Sequence, residues 1–171
     1  MDRTTNKEVP ADGKTLGEVV VKGNVVMKGY LLNEGSTKQA FEGGVFHTGD
    51  IGVLHPNRTV EIKDRSKDII ISGGENICSI EVENILQKHE LVQEAAVVAA
   101  HDDHWGEVPV AFVKLSGLLS EGELINWSKE NMARYKAPKK IIIVSELPRT
   151  STGKIQKHVL REMLDRSREE A

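Results

Sequence analysis

The sequence predicts an α+β fold: a compact C-terminal domain with a small mixed sheet and about three helices, preceded by a β-rich stretch. Three observations carry this. From Ile69 the patterns run strand, helix, strand, strand, helix, strand, helix, over ~100 residues, an ordinary domain size. Before Lys63 only short strands and turns are legible, too little to close a good core alone. Between the two lies a charged stretch, Asp64-Arg65-Ser66-Lys67-Asp68. The expected organisation is therefore 1–63, a joint at 64–68, and 69–171.

Each element has its own warrant. Residues 1–15 are polar and carry no periodic pattern. Glu18–Lys22 is β-rich, and Val25–Tyr30 reads as a second strand. Ser36–Phe41 fits a short helix capped by Ser36. Asp50–Leu54 and Thr59–Lys63 flank His55-Pro56-Asn57-Arg58, where Pro and Asn supply a hairpin turn. Ile69-Ile70-Ile71 is a β-branched run ended by Ser72-Gly73-Gly74. Ser79–His89 follows helical spacing, with Val82, Ile85, Leu86 and His89 on one face. Glu94–His101 and Val108–Leu115 are strands. Ser120-Glu121-Gly122-Glu123 is a capping box that starts a helix running to about Met132. Lys140–Val144 is a buried-type strand. His158–Arg166 closes the chain's pattern as a helix with Leu160, Met163 and Leu164 inward.

Composition bounds the function. The 171 residues are 39% hydrophobic and 29% charged, as in a folded globular protein. Lys and Arg number 23 against 26 Asp and Glu, a net charge of −3. A general nucleic-acid binder needs a basic surplus to neutralise phosphates, so no nucleic-acid partner is expected. The longest apolar runs, such as Ala95–Ala100, fall far short of the ~20 residues of a membrane span. The single cysteine, Cys78, excludes an internal disulfide and a thiolate zinc site, and reads as a packing residue in a reducing compartment, cytoplasmic or organellar matrix. The six histidines have no metal-ligand spacing, so no metal site is expected. The last residues, Ser-Arg-Glu-Glu-Ala, do not match a Ser-Lys-Leu peroxisomal signal.

Three polar clusters carry candidate chemistry. In Phe46-His47-Thr48-Gly49-Asp50, the Asp either accepts from a vicinal diol or satisfies its own turn. In Asp64–Asp68 with Ser72-Gly73-Gly74-Glu75-Asn76, an Arg offers a planar donor fork, and paired glycines allow close backbone approach or positive φ. The bland reading there is a linker and a turn. Pro148-Arg149-Thr150-Ser151-Thr152-Gly153-Lys154 superficially resembles a phosphate loop. It lacks the required Gly at Pro148 and the Ser or Thr at Ile155. Its Lys either brings a cation to developing negative charge or is a solvated surface group.

Together, in this order and spacing, these segments are specific. Gly17-Glu18-Val19, Gly29-Tyr30, Thr48-Gly49-Asp50, the run Asp64 to Ile77 with Glu81 and Glu83, and Pro148-Arg149-Thr150 with Gly153-Lys154 resemble successive signatures of the adenylate-forming superfamily. That family holds acyl- and aryl-CoA synthetases, luciferases and peptide-synthetase adenylation domains. Ser72-Gly73-Gly74-Glu75-Asn76-Ile77 and Trp105-Gly106-Glu107-Val108-Pro109 look most like its medium-chain and aromatic acyl-CoA ligase branch.

The resemblance implies a two-step reaction. A carboxylate attacks the α-phosphate of Mg-ATP to give acyl-AMP, and the CoA thiol then displaces AMP, with the C-terminal domain swivelling between steps. It implies that Asp50 and Arg65 bind ribose, that Lys154 is the adenylating lysine, and that Lys67 stands at the hinge, where many relatives carry Asp. It implies that Gly73, Gly74 and Glu75 line the pantetheine path. Trp105, Tyr135 and Lys139 fall where relatives meet CoA, with packing or rim roles as the alternative for the aromatics. Ala137 and His47 replace the Arg of some relatives. The family's phosphate loop, acyl pocket and adenine strand have no counterpart in the chain. Residues 1–63 thus resemble the last β-barrel-like part of a large N-terminal domain, and Mg is expected to be bound by the absent part. The expectation is an enzyme fragment inactive alone, with carboxylate, ATP and CoA as small-molecule partners. The alternatives are a non-catalytic binding fragment, a partner of an N-terminal domain supplied in trans, and a carrier-protein-directed adenylation fragment.

Overall fold

A computed structural model describes residues 1–2 and 5–169, without the side chains of 167–169. The chain divides into two compact units, Met1–Lys67 and Asp68–Ala171.

In the first unit, β1 (Leu16–Val21), β2 (Phe46–Leu54) and β3 (Val60–Arg65) form an antiparallel sheet in that order. The turn at His55–Thr59 closes as its Pro and Asn predict: His55 N–H donates to the Thr59 carbonyl, and Arg58 N–H to the His55 carbonyl. β3 runs on through Asp64 and Arg65, the first residues of the charged stretch. Asp50 faces Arg65 across the ladder because a register shift between Ile51 and Gly52 rotates that end. The strand expected at Val25–Tyr30 does not form. Gly23, Gly29 and the solvent-facing Val25 and Leu32 leave that stretch without a partner strand, and it is turns and loop. The short helix α1 (Glu34–Ala40) starts earlier than expected, because Asn33, not Ser36, supplies the cap by accepting from the Ser36 N–H.

The second unit is built on one sheet, ordered β5 (Glu75–Ile77), β4 (Ile70–Ser72), β7 (Gly106–Leu115), β6 (Val92–Asp102), with β8 (Lys140–Ile143) parallel to β7. β5 has no periodic signal of its own. It exists because Gly73 and Gly74, both at positive φ, fold Glu75–Ile77 back onto β4. Alternation along β6 and β7 sends side chains to two cores. Ala95, Val97, Ala111 and Val113 meet α2 (Ser79–Leu86) and α3 (Glu121–Asn131). Ala96, Val98, Val110 and Phe112 meet Leu147 and α4 (Lys157–Glu169). Burial on both faces explains why these strands read as unbroken apolar runs.

The Ser120–Glu123 capping box forms with both reciprocal bonds, and α3 ends at Asn131. α2 stops at Leu86, short of His89, whose ring instead meets the edge of Trp127. In α4, Leu160 is buried, but Met163 is 47% exposed, against the expectation of an inward position. Cys78 is buried beside β5, as a packing residue would be. No helix among the described residues is long and apolar enough to cross a membrane.

The two α4 positions give a direct contrast. Leu160→Ala should destabilise by about 2–5 kcal/mol, and Met163→Ala by less than about 1 kcal/mol. Urea titration of both variants measures the difference.

Candidate functional site

The first unit's polar centre is set by a buried carboxylate. Glu18, 2% exposed, sits where β1 bulges against β2. One of its oxygens lies 2.8 Å from His47 Nδ1, and the other accepts the Gly49 N–H at 3.1 Å. Thr48 Oγ1 donates to the Val19 carbonyl at 2.7 Å and accepts the Asp50 N–H at 3.0 Å. His47 replaces an expected Arg contact with a bond to Glu18 and one to the Glu42 carbonyl. Asp50 is thus fixed at the backbone, and its Oδ1 lies 2.7 Å from Arg65 Nε. The Arg65 side chain is 65% exposed, which leaves most of its fork open. The sequence offered Asp50 and Arg65 as candidates but gave Glu18 no role. The available signal was an acidic residue at an inward position of a β-rich strand.

In the second unit, the hairpin turn and Trp105 come together. Gly73 N–H donates to the Trp105 carbonyl at 2.9 Å, and Ser72 pairs with Gly106. A Cβ on Gly73 would stand 2.8 Å from Trp105 Cε3, so the indole lies directly against this glycine. Glu75 is exposed just past the turn. Lys139 Nζ stands 5.9 Å from the Trp105 ring centroid, and Lys139 N–H is held by the Pro109 carbonyl. Asp102 holds the β6–β7 turn. Its carboxylate accepts the N–H groups of Trp105 and His104, and these bonds keep it below the usual carboxylate range. Glu107 reaches across to accept the Ile71 N–H at 2.8 Å. Neither acid was expected to take part.

Tyr135, 45% exposed, lies on the turn leading to β8. The turn is pinned by Lys136, whose ammonium contacts both oxygens of Glu81 at 2.7 and 2.8 Å. Burial alone would push the Lys136 pKa down. The Glu81 hydrogen bonds and charge outweigh it, and the net shift is upward. Ala137 is 1% exposed, so its position is a packing site that could not hold an Arg without displacement.

Lys154 lies on a loop closed by a bridge between Arg149 and Ile155. Thr150 binds the Lys154 carbonyl through its N–H and the Lys154 N–H through its hydroxyl. Arg149 donates to the Gly153 carbonyl at 2.6 Å and pairs with Glu94 at 2.8 Å. The Lys154 side chain is exposed, and its ammonium has no ion pair among the described residues. Glu94 and Asp102 are eight residues apart on β6, roughly 26 Å of strand. The Lys154 loop is therefore tied to one end of β6, and the Gly73–Trp105 cluster to the other. Lys67 is exposed and ends the first unit. No three His, Cys, Asp or Glu among the described residues converge where a metal ion could sit.

Residues 81–154 match the model of the AMP-binding enzyme C-terminal domain. That segment is similar to the C-terminal domain of AMP-binding enzymes. Several of the proteins the chain is similar to are named as CoA ligases. A peroxisomal butyrate–CoA ligase of Arabidopsis thaliana is 56% identical over 93% of this chain and 29% of its own length. A peroxisomal benzoate–CoA ligase of the same plant is 47% identical over 95% of this chain and 30% of its own length. Among solved structures, ATP-bound MatB from Rhodopseudomonas palustris superposes with a TM-score of 0.87 at 36% identity, covering 95% of this chain and 32% of MatB. Apo MatB, over the same shares, superposes at 0.63. The chain thus spans under a third of the length of the curated relatives it matches.

The contact between Gly73 and Trp105 makes a sharp prediction. Gly73→Ala places a Cβ at φ +58 and against the indole, and should cost about 1–2 kcal/mol. In a Trp127→Phe background it should also shift the Trp105 emission, which fluorescence during urea unfolding records.

Proposed function

We propose that this chain is the C-terminal third of an AMP-forming acid–thiol ligase, which makes acyl-AMP from a carboxylate and ATP and passes the acyl group to CoA. The observation that carries this reading is the separation of two polar sites along β6, one with an open ammonium and one with a glycine turn against an exposed indole. Two chemical steps at one substrate, served by groups roughly 26 Å apart on one rigid strand, require the domain to turn between them.

In the first step, Lys154 brings positive charge to the carboxylate and α-phosphate as negative charge gathers there. Asp50 accepts from the ribose hydroxyls, and Arg65 shares its open donors with the same sugar. In the second step, the Gly73–Gly74 turn lets a thin thiol arm pass close to the backbone, beside Glu75. Trp105 offers its face to the adenine of CoA, Lys139 meets a CoA phosphate, and Tyr135 lies along the nucleotide. Lys67, exposed between the units, is the hinge of 64–68. The two MatB forms support such a joint. The ATP-bound and apo structures score 0.87 and 0.63 against this chain, a difference that such a joint would produce.

The relatives named for butyrate and for benzoate are both close over this segment. What the segment shares with them is therefore the common chemistry, and acyl choice belongs to upstream residues, as does the Mg that accompanies ATP. The resemblance finds no counterpart here of the family's phosphate loop, acyl pocket or adenine strand, and on that ground the chain is read as inactive by itself.

Isolated, the chain should give no ATP–pyrophosphate exchange with acetate, butyrate or benzoate; robust exchange would refute the reading. Fused behind the upstream two thirds of the butyrate–CoA ligase, it should become active. In that fusion Lys154→Ala should lower exchange by about 100-fold or more, while thioester formation from synthetic acyl-AMP stays within about threefold. Trp105→Ala should do the reverse, mainly by raising the KM for CoA.

A further inference from the structure

Lys157 and Glu83 belong to neither site above, yet they form an enclosed junction. Their side chains are 15% and 14% exposed, and Lys157 Nζ lies 2.7 Å from Glu83 Oε1. The same ammonium donates to Ser79 Oγ at 2.6 Å, and Ser79 is fully buried at the start of α2. The same Glu83 oxygen accepts the Val97 N–H at 2.8 Å. β6 is an edge strand, so this carboxylate satisfies an edge donor while it holds a cation from α4. One junction thus fixes the first residue of α4 against α2 and β6.

Lys157 follows Lys154 by three residues, and nothing between them is slack. Ile155 bridges Arg149 and packs into the α4-side core. Gln156 N–H donates to the Pro148 carbonyl at 2.8 Å. Upstream, Arg149 ties the other limb of the loop to Glu94. The loop is therefore clamped to β6 on both limbs: directly through Arg149–Glu94, and through Glu83 by Lys157. A shift at the Lys157 clamp passes along a fully bonded segment to Lys154.

We propose that Lys157 is a positioning residue for Lys154, holding the adenylating loop at a fixed place on β6 through Glu83 and Ser79. This rests on the reading of Lys154 given above. Misplacing a reacting group by about 1 Å costs on the order of 100-fold in rate. In the active fusion, Lys157→Met should lower kcat for ATP–pyrophosphate exchange 10- to 100-fold, with the KM for ATP within about twofold. Thioester formation from synthetic acyl-AMP should stay near the parent rate, and Lys157→Arg should restore exchange. Lys157→Met combined with Glu83→Gln, which leaves no lone buried charge, should behave as Lys157→Met does. Equal loss in both half-reactions, or no loss in either, overturns the proposal. Hydrogen exchange on the isolated chain provides a readout independent of activity. Lys157→Met should speed exchange at the Thr150, Gly153 and Lys154 amides while β6–β7 core amides keep their protection. Uniform loss of protection, or unchanged loop exchange, overturns it. If Lys154→Ala leaves exchange activity intact, the reading of Lys154 fails instead, and the amide data then decide the clamp alone.

Discussion

The β6–β7 ladder sets the geometry of the second unit. It is ten pairs long and antiparallel, and it is covered on both faces by helices. Each strand residue is therefore fixed twice, by its backbone bonds and by close packing of its side chain. A sheet held this way is stiff along its strands, so groups fastened at its two ends keep their separation. The Lys154 loop is fastened at Glu94 and the glycine hairpin at Asp102 to Gly106. Under the proposed function, motion that brings first one and then the other to a common substrate must occur outside this sheet.

Within that frame, carboxylates do most of the positioning, and they do it through backbone N–H groups. Glu18 holds Gly49, Asp102 holds His104 and Trp105, Glu107 holds Ile71, and Glu83 holds Val97. An ionised carboxylate offers up to four acceptor sites, and bonds to it are stronger than neutral ones. It can thus fix an irregular backbone segment where no ladder partner exists. Each of these donors lies at a bulge, a turn or a strand edge, where regular pairing stops.

Much of this was legible in the sequence, and the omissions share a cause. The strands β6, β7 and β8, the capped helix α3 and the hairpin at His55–Thr59 announce themselves through periodicity and turn chemistry, which are local. Asp50, Arg65, the glycine pair and Lys154 stood out as candidates because they sit in short motifs of fixed spacing. Glu18, Glu83, Asp102, Glu107, Arg149 and Lys157 acquire their roles from partners that mostly lie far along the chain, such as Ser79 for Lys157, and no local pattern states such a pairing. The false strand at Val25–Tyr30 is the converse. Its composition favoured extension, but extension without a partner strand leaves backbone groups unpaired, so the segment turned instead.

The distribution of charge around the Lys154 loop follows from the same bonding. Three cations lie within nine residues there: Arg149, Lys154 and Lys157. Arg149 is neutralised by Glu94 and Lys157 by Glu83, and both are held by further hydrogen bonds. Lys154 alone of these three has an exposed head group with no ion pair among the described residues. A paired ammonium would have to surrender its partner before it could meet a phosphate, and the loss would subtract from any stabilisation it brought. An unpaired one on a braced loop loses only water, and its direction is set before the substrate arrives. The two clamped cations thus supply rigidity and leave the third free to act, which is why the loop can be both short of slack and open to a ligand.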